Sequence, residues 1–339
     1  MRKLYTFIRK IFPTQWHGIL TVLLYYLKIK PTVNRRVKSP FSKGIIVISA
    51  DFEMAWAFRY SKTKGSIAEQ LGLRERENVP KLLTLFEKYQ IPITWATVGH
   101  LFLDSCSKEQ GSNAHPMMPR HSFFENSNWS FCCGDWYEHD PCTNYIESPA
   151  WYAPDLIDQI MQSSVGHEIG CHTFSHIDCT DKNCPPDLFD AELKACIEHA
   201  NKKGIQLKSM VFPGGTNGNY STLKELGFTS YRKATNYHID IPFINNDGLV
   251  QIPSSYNLDR SNLNWSAERY IRMANSFVSK ASKHKMVAHL WFHPSMDSWY
   301  IENVFPFVLE YIKKHVDENR VVVLTMAQLS EKMKGHELD

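Results

Sequence analysis

From residue 44 onward, short apolar runs alternate with amphipathic helical patterns, and this alternation limits the fold of the 339-residue chain more than any other feature. "GIIVISAD" (44–51) reads as a buried strand ending in an acid, and "NVPKLLTLFEKY" (78–89) as a helix. "IPITWATVG" (91–99) returns to strand, "YAPDLIDQIMQS" (152–163) to helix and "HEIGCH" (167–172) to strand. The stretch 185–204 has Pro at its start and Gly at its end, the marks of a helix with defined limits. Further strands are expected at 209–213, 228–233, 249–253, 286–293 and 320–325, with helices at about 265–283 and 302–316 separating the last three. Such alternation builds a mostly parallel sheet covered by helices. The expected class is α/β: a (β/α) barrel, in preference to an open sheet, of about seven parallel strands spanning 44–335, with a long irregular insertion at about 100–151.

Parallel sheets bind ligands at the C-terminal ends of their strands. That rule selects Asp51 and Glu53 at the end of the first strand, His172 and His176 at the end of the third, and His293 at the end of 286–293. All are expected at one mouth. His172 and His176 are four apart and would point the same way if the chain enters a helix there. With 15 His in the chain, such a pair arises easily by chance, and the carboxylate at the same mouth is what changes the reading. Glu53 with two imidazoles makes three ligands with open positions, the arrangement of a catalytic divalent metal, zinc first. Asp51 leaves an extended chain on the same face as Glu53 and has the chemistry of a general base; the competing reading is a helix cap. His293 has the chemistry of a general acid, or is a core histidine beside Pro294.

The charge is uneven. Residues 1–50 hold ten Lys or Arg and no acid, which leaves 28 basic against 35 acidic residues in the remainder. A basic arm (1–43) therefore precedes a mildly acidic body. That body lacks basic–aromatic interleaving, so nucleic acid is not an expected partner. In the arm, Trp16, Ile19, Leu20, Leu23, Leu24 and Leu27 recur at helical spacing. Ile19–Leu27 is too short to cross a bilayer, which takes about 20 residues, and no small-residue cleavage site follows it. Two readings fit: an interfacial helix on an anionic membrane, or a helix packed on the body. The eight cysteines (106, 132, 133, 142, 171, 179, 184, 196) match no zinc-ribbon or redox spacing. A domain this large does not need disulfides, so buried thiols and a cytoplasmic location are expected, peripheral on the inner face of the membrane if the arm binds lipid; bridges within 106–184 stay open.

In order and spacing these motifs resemble the polysaccharide deacetylase family (carbohydrate esterase family 4) over about residues 44–330. "GHEIGCHTFSH" (166–176) is similar to the family's histidine motif, and "ITWATVG" (93–99) to the strand after its first helix. "SADFE" (49–53) takes the place of its Asp-Asp motif, "VFPGG" (211–215) of Arg-x-Pro-x-Gly, and "LWFH" (290–293) of its last motif. The resemblance implies Asp51 as base, Glu53, His172 and His176 as metal ligands, and His293 as the acid that protonates the leaving amine. It also implies substrate contacts from Pro213 and Gly214, and Trp136 and Tyr137 of the insertion are candidates to stack on a sugar ring. Two departures stand out. Val211 occupies the place of the base-orienting Arg, and the acid that supports the catalytic histidine has no obvious counterpart, with Asp240 and Arg232 as candidates.

The function expected is that of a metal-dependent hydrolase removing an N-acetyl or related N-acyl group from an amino sugar, in a polysaccharide or a lipid-linked glycan. The alternatives are a metal-independent amidase of the same fold and an inactive glycan-binding barrel. A metal-dependent glycosyltransferase gives no reason for the His172/His176 pair, and a two-His, one-carboxylate iron oxygenase is not expected on βα alternation.

Overall fold

The computed structural model describes residues 31–335 except 35, 123, 126–127, 132, 236 and 260–264. Its main sheet holds β1 (Gly44–Phe52), β2 (Thr94–Thr97), β3 (Glu168–Cys171), β4 (Ser209–Val211), β5 (Ser230–Ala234), β6 (Phe243–Ile244), β7 (Val250–Ser254), β8 (Tyr256–Asn257), β9 (Val287–Phe292) and β10 (Val321–Val323). The helices are α1 (Ala68–Tyr89), α2 (Pro154–Gln162), α3 (Pro186–Lys202), α4 (Tyr220–Glu225), α5 (Ala267–His284), α6 (Ser298–Asn303), α7 (Phe305–Asp317) and α8 (Met326–Lys334).

β1 is the axis of the sheet. Every residue in it is buried, as a near-continuous apolar run covered on both faces requires. β9 pairs along one flank, while β10 takes the start of the other flank and β2 its end. Strand order is β6-β7-β5-β4-β3-β2-β1-β9-β8, and all pairs are parallel except β6 with β7. In a flat sheet β5 would lie about 19 Å from β1, four strand spacings away. Instead Arg232 of β5 touches Asp51 of β1 at 2.5 Å. The sheet is curled into a partial barrel, and β6 and β8 at its two margins do not pair with each other among the described residues. The short strands β6 and β8 add to those expected, while β10 is the expected strand at 320–325.

Two helices differ from their expected limits. α1 starts at Ala68, ten residues before the expected 78, and runs through Pro80, which reads in sequence as a helix start. The helix expected at 302–316 is two, α6 and α7, with Pro306 in the first turn of the second.

The insertion is packed rather than open: Phe131, Trp136, Tyr137 and Trp151 are buried in the main core. Residues 1–30 of the arm lie outside the described residues. Thr32–Val33 pairs with His238–Ile239, and Phe41 is buried, so the end of the arm is seated on the body. Among the described residues no helix is long and apolar enough to cross a membrane. Cys106, Cys142, Cys171, Cys179, Cys184 and Cys196 are thiols, all buried or partly buried, whereas Cys133 is exposed.

α1, the turn after β1 and the end of the insertion meet at Gly72. A Cβ there would lie 2.7 Å from Ala150 O and 3.0 Å from Ala55 N, two backbone atoms bonded to each other at 3.1 Å. Gly72→Ala is therefore expected to destabilise the protein by about 1–3 kcal/mol through overpacking, read as a lower urea midpoint at unchanged m-value.

Candidate active site

Glu53 is the first residue beyond β1, and the chain turns away at once: Met54 adopts φ 52° and Met54–Ala57 forms a single 3-10 turn. The Glu53 N–H donates to Glu75 Oε1 of α1 at 2.8 Å, which fixes the backbone from which the side chain projects. Glu53 Oε1 lies 2.8 Å from His172 Nε2 and 3.4 Å from His176 Nε2. His172 follows β3 directly and continues its ladder, donating its N–H to Thr97 O. Its neighbour His176 arrives by a different route from the one expected. Residues 172–178 are not helical; Thr173 and His176 take φ 60° and 58°, and two left-handed residues bring the imidazoles together, 5.2 Å between ring centroids.

One hydrogen bond sets the chemistry of this group. His172 Nδ1 lies 2.6 Å from the Val211 carbonyl, which can only accept, so Nδ1 carries the proton. In the neutral ring Nε2 is then a bare lone pair, and it faces a carboxylate oxygen. Two lone pairs at 2.8 Å need a cation between them, either a proton on Nε2 or a metal ion. The donor atoms of Glu53, His172 and His176 all lie within 4.8 Å of one another, and the set of two imidazoles and a carboxylate suits a divalent metal. Burial pushes the His176 imidazole down, against the pull of Glu53, toward the neutral form that a ligand needs. Burial alone would raise Glu53, but His293 and the bonds from His172 and His176 outweigh it and hold this carboxyl well below its usual range. The adjoining Glu75 goes the other way, raised well above that range by burial and then by Glu53.

Asp51 and His293 complete the mouth. Arg232 grips both oxygens of Asp51 at 2.5 Å, reaches Ser49 Oγ at 3.0 Å, and lies 4.6 Å over the ring of Trp291. Val211 and Arg232 are register partners on β4 and β5, so a guanidinium serves the carboxylate from one strand further along at the same height. His293 Nε2 lies 4.0 Å from Asp51 and 3.9 Å from Glu53. Its other face belongs to Asp259, whose Oδ2 accepts both the His293 N–H, at 3.0 Å, and Nδ1. Asp259 is the supporting acid that sequence reasoning missed. The candidate Asp240 instead pairs with Asn34 and His238, away from the mouth. Burial opposes charge on His293, but Asp259, Glu53 and Asp51 together push it up to about 10.

The expected substrate contacts divide. Gly214 adopts φ 56° and sits under the ring of Trp129, where any side chain would collide, and Pro213 is buried beside it. Trp129 also meets the His176 ring edge to face at 4.8 Å. Trp136 and Tyr137 are only 2% and 1% exposed, and the Tyr137 hydroxyl donates to buried Glu192. Tyr137 therefore has no face to offer a sugar, because the insertion folds it inward. Trp136 lines a small recess with Trp56, Tyr60, Trp129 and His176.

A curled parallel sheet with this mouth defines a class of amide hydrolases rather than a single enzyme. The polysaccharide deacetylase family model matches residues 64–231, and the chain belongs to that family. The matched span includes His172, His176 and Val211–Gly214 and leaves out Asp51, Glu53, Asp259 and His293. No curated protein matches the chain in sequence. Among solved structures, a protein of Mycobacterium smegmatis assigned as a polysaccharide deacetylase is similar at TM-score 0.62 and 16% identity, over 89% of this chain and 94% of its own. One from Pseudomonas aeruginosa PAO1, likewise assigned, gives 0.54 and 12% over 87% and 91%. The Puue allantoinase gives 0.53 and 12% over the same shares, 87% and 91%. At these identities the likeness is one of fold.

The His293–Asp259 pair predicts a pH signature in metal-free protein. The folded-state value of His293 is raised above its unfolded value, so its contribution to stability is complete below about 6.5 and is lost as pH rises through about 10. Asp259→Asn should therefore cost most stability at pH 6 and progressively less toward pH 10, measured by urea denaturation in the presence of chelator.

Proposed function

We propose that the chain is a metal-dependent hydrolase that removes an N-acetyl or related N-acyl group from an amino sugar of a polysaccharide or lipid-linked glycan. The observation that carries the reading is the His172 lone pair turned onto Glu53, opposite an imidazole that Asp259 keeps protonated. Glu53, His172 and His176 would hold the ion, and zinc suits that donor set. When bound, such an ion polarises an amide carbonyl and lowers the pKa of water toward about 7.

The remaining work falls to the side chains around it. Asp51 accepts the proton of the attacking water, and the Arg232 fork holds its carboxylate in one orientation. His293 gives its proton to the amide nitrogen as the C–N bond breaks. An amine leaves poorly unless it is protonated, and an acid pushed up to about 10 is charged at neutral pH. This separates the site from one built only for esters, whose leaving alcohol needs less help. The Asp259 carboxylate orients His293 and stabilises its charged form. The basic arm, whose first 30 residues lie outside the described ones, would keep the enzyme near an anionic surface carrying lipid-linked substrate.

Zinc content and acetate release from N-acetylated amino sugars test the assignment. His172→Ala and His176→Ala should each strip most of the ion. Asp51→Asn should keep it and lose turnover by about 10²–10⁴-fold, with no recovery on adding zinc. Glu53→Gln should bind metal more weakly and recover in part with excess zinc. Full activity of the chelated wild type would instead mean a metal-independent amidase, and no hydrolysis of any amide under any condition an inactive glycan-binding barrel. A separate comparison tests the arm: full-length protein should float with anionic vesicles and release at high salt, and protein lacking residues 1–43 should not.

A further inference from the structure

We propose that the insertion carries a second metal site, built from His100, Cys106, His115 and Asp140 and suited to zinc. Asp140 is completely buried as a side chain, and His100 Nε2 and His115 Nε2 converge on its Oδ2 at 2.9 and 2.7 Å. Cys106 Sγ lies 3.4 Å from the same oxygen. One donor atom from each of the four residues lies within 4.8 Å of all the others. The other oxygen, Oδ1, is occupied by the Tyr152 hydroxyl and the Cys142 N–H, both at 2.9 Å, which leaves Oδ2 to the cluster. His100 Nδ1 faces the Trp151 carbonyl at 3.4 Å. A carbonyl cannot donate, so this contact lets Nδ1 keep the ring's proton when Nε2 gives its lone pair to a metal ion.

The chemistry is that of a closed structural site. Tetrahedral zinc with imidazole, carboxylate and thiolate ligands puts neighbouring donor atoms about 3.3–3.6 Å apart. The distance from Cys106 Sγ to Asp140 Oδ2, 3.4 Å, is already of that length. The two imidazoles need to draw back by about half an ångström. One thiolate and one carboxylate neutralise a divalent ion, so the loaded site carries no net charge into the interior. Loading releases the thiol proton to solvent and leaves the oxidation state of the sulfur unchanged. Hydrogen bonds from Tyr152 and Cys142 to the far carboxylate oxygen, and from His100 to Trp151, supply the outer contacts such ligands usually have.

The site would brace the active-site loop. His100 donates its N–H to Phe174 O at 3.0 Å, and Gly99 to Thr173 O at 2.8 Å, both between His172 and His176. An ion at His100 therefore ties the insertion to the segment that positions two proposed ligands of the first metal.

Cobalt(II) substitution of the full-length protein separates the two sites, because no cysteine belongs to the Glu53 group. The wild type should take up about two ions per chain and show a thiolate-to-cobalt charge-transfer band. His172→Ala/His176→Ala should keep about one ion and the whole band, and chelation of that variant should lower its Tm. Cys106→Ser should lose the band. Zinc X-ray absorption on the wild type needs no variant to fold, and should give a sulfur scatterer at about 2.3 Å. A zinc shell without sulfur, a wild-type cobalt protein without the band, or a His172→Ala/His176→Ala variant that binds no metal would each overturn the proposal.

Discussion

The bond from His172 Nδ1–H to the Val211 carbonyl governs the mouth of the barrel. It fixes the tautomer, and the tautomer decides what Nε2 can do. With that proton placed, the neutral ring meets Glu53 with a lone pair, and the group needs a cation to be stable. The bond crosses from the end of β3 to the end of β4, so the curl of the sheet holds it as much as any side chain does. His176 could be carried by many loop conformations; it works here because two left-handed residues swing it onto the same carboxylate oxygen.

Around this point the barrel keeps three carboxylates apart by giving each its own cation. Asp51 has Arg232, Asp259 has His293, and Glu53 is left to the imidazoles and to the ion they would share. Glu75, next to Glu53, is pushed the opposite way by burial and by that neighbour, and its Oε1 accepts a backbone N–H. The fourth acid is thus a brace for the chain rather than another charge at the mouth. Such sorting of pKa values, with one imidazole lowered and another raised a few ångströms away, is how one cleft holds a ligand and an acid together.

Much of this was legible in the sequence. The βα alternation gave the sheet, and the rule of strand ends gathered Asp51, Glu53, His172, His176 and His293 from almost 250 residues of chain. What was hidden had physical reasons. Asp259 follows a two-residue strand, too short for any periodicity to mark, and touches His293 only because that strand lies beside β9. Arg232 was visible but could not be assigned, since strand register is not written in residue spacing. The side chains of Trp136 and Tyr137 looked like a sugar platform because a sequence does not say which way an insertion folds. His100, Cys106, His115 and Asp140 escape notice for the same reason: their separations of 6, 9 and 25 residues match no metal motif, and only the packed loop brings them to one oxygen.

The guanidinium that steadies Asp51 lies on the ring of Trp291 of β9, and His293 follows the end of that strand, two residues after Trp291. The groups assigned to take a proton and to give one therefore rest on a common support. A sideways slip of β9 would carry the indole, the guanidinium and the imidazole with it. The separation of Asp51 from His293 is thereby set by one strand, and it would persist through motions of the surrounding loops.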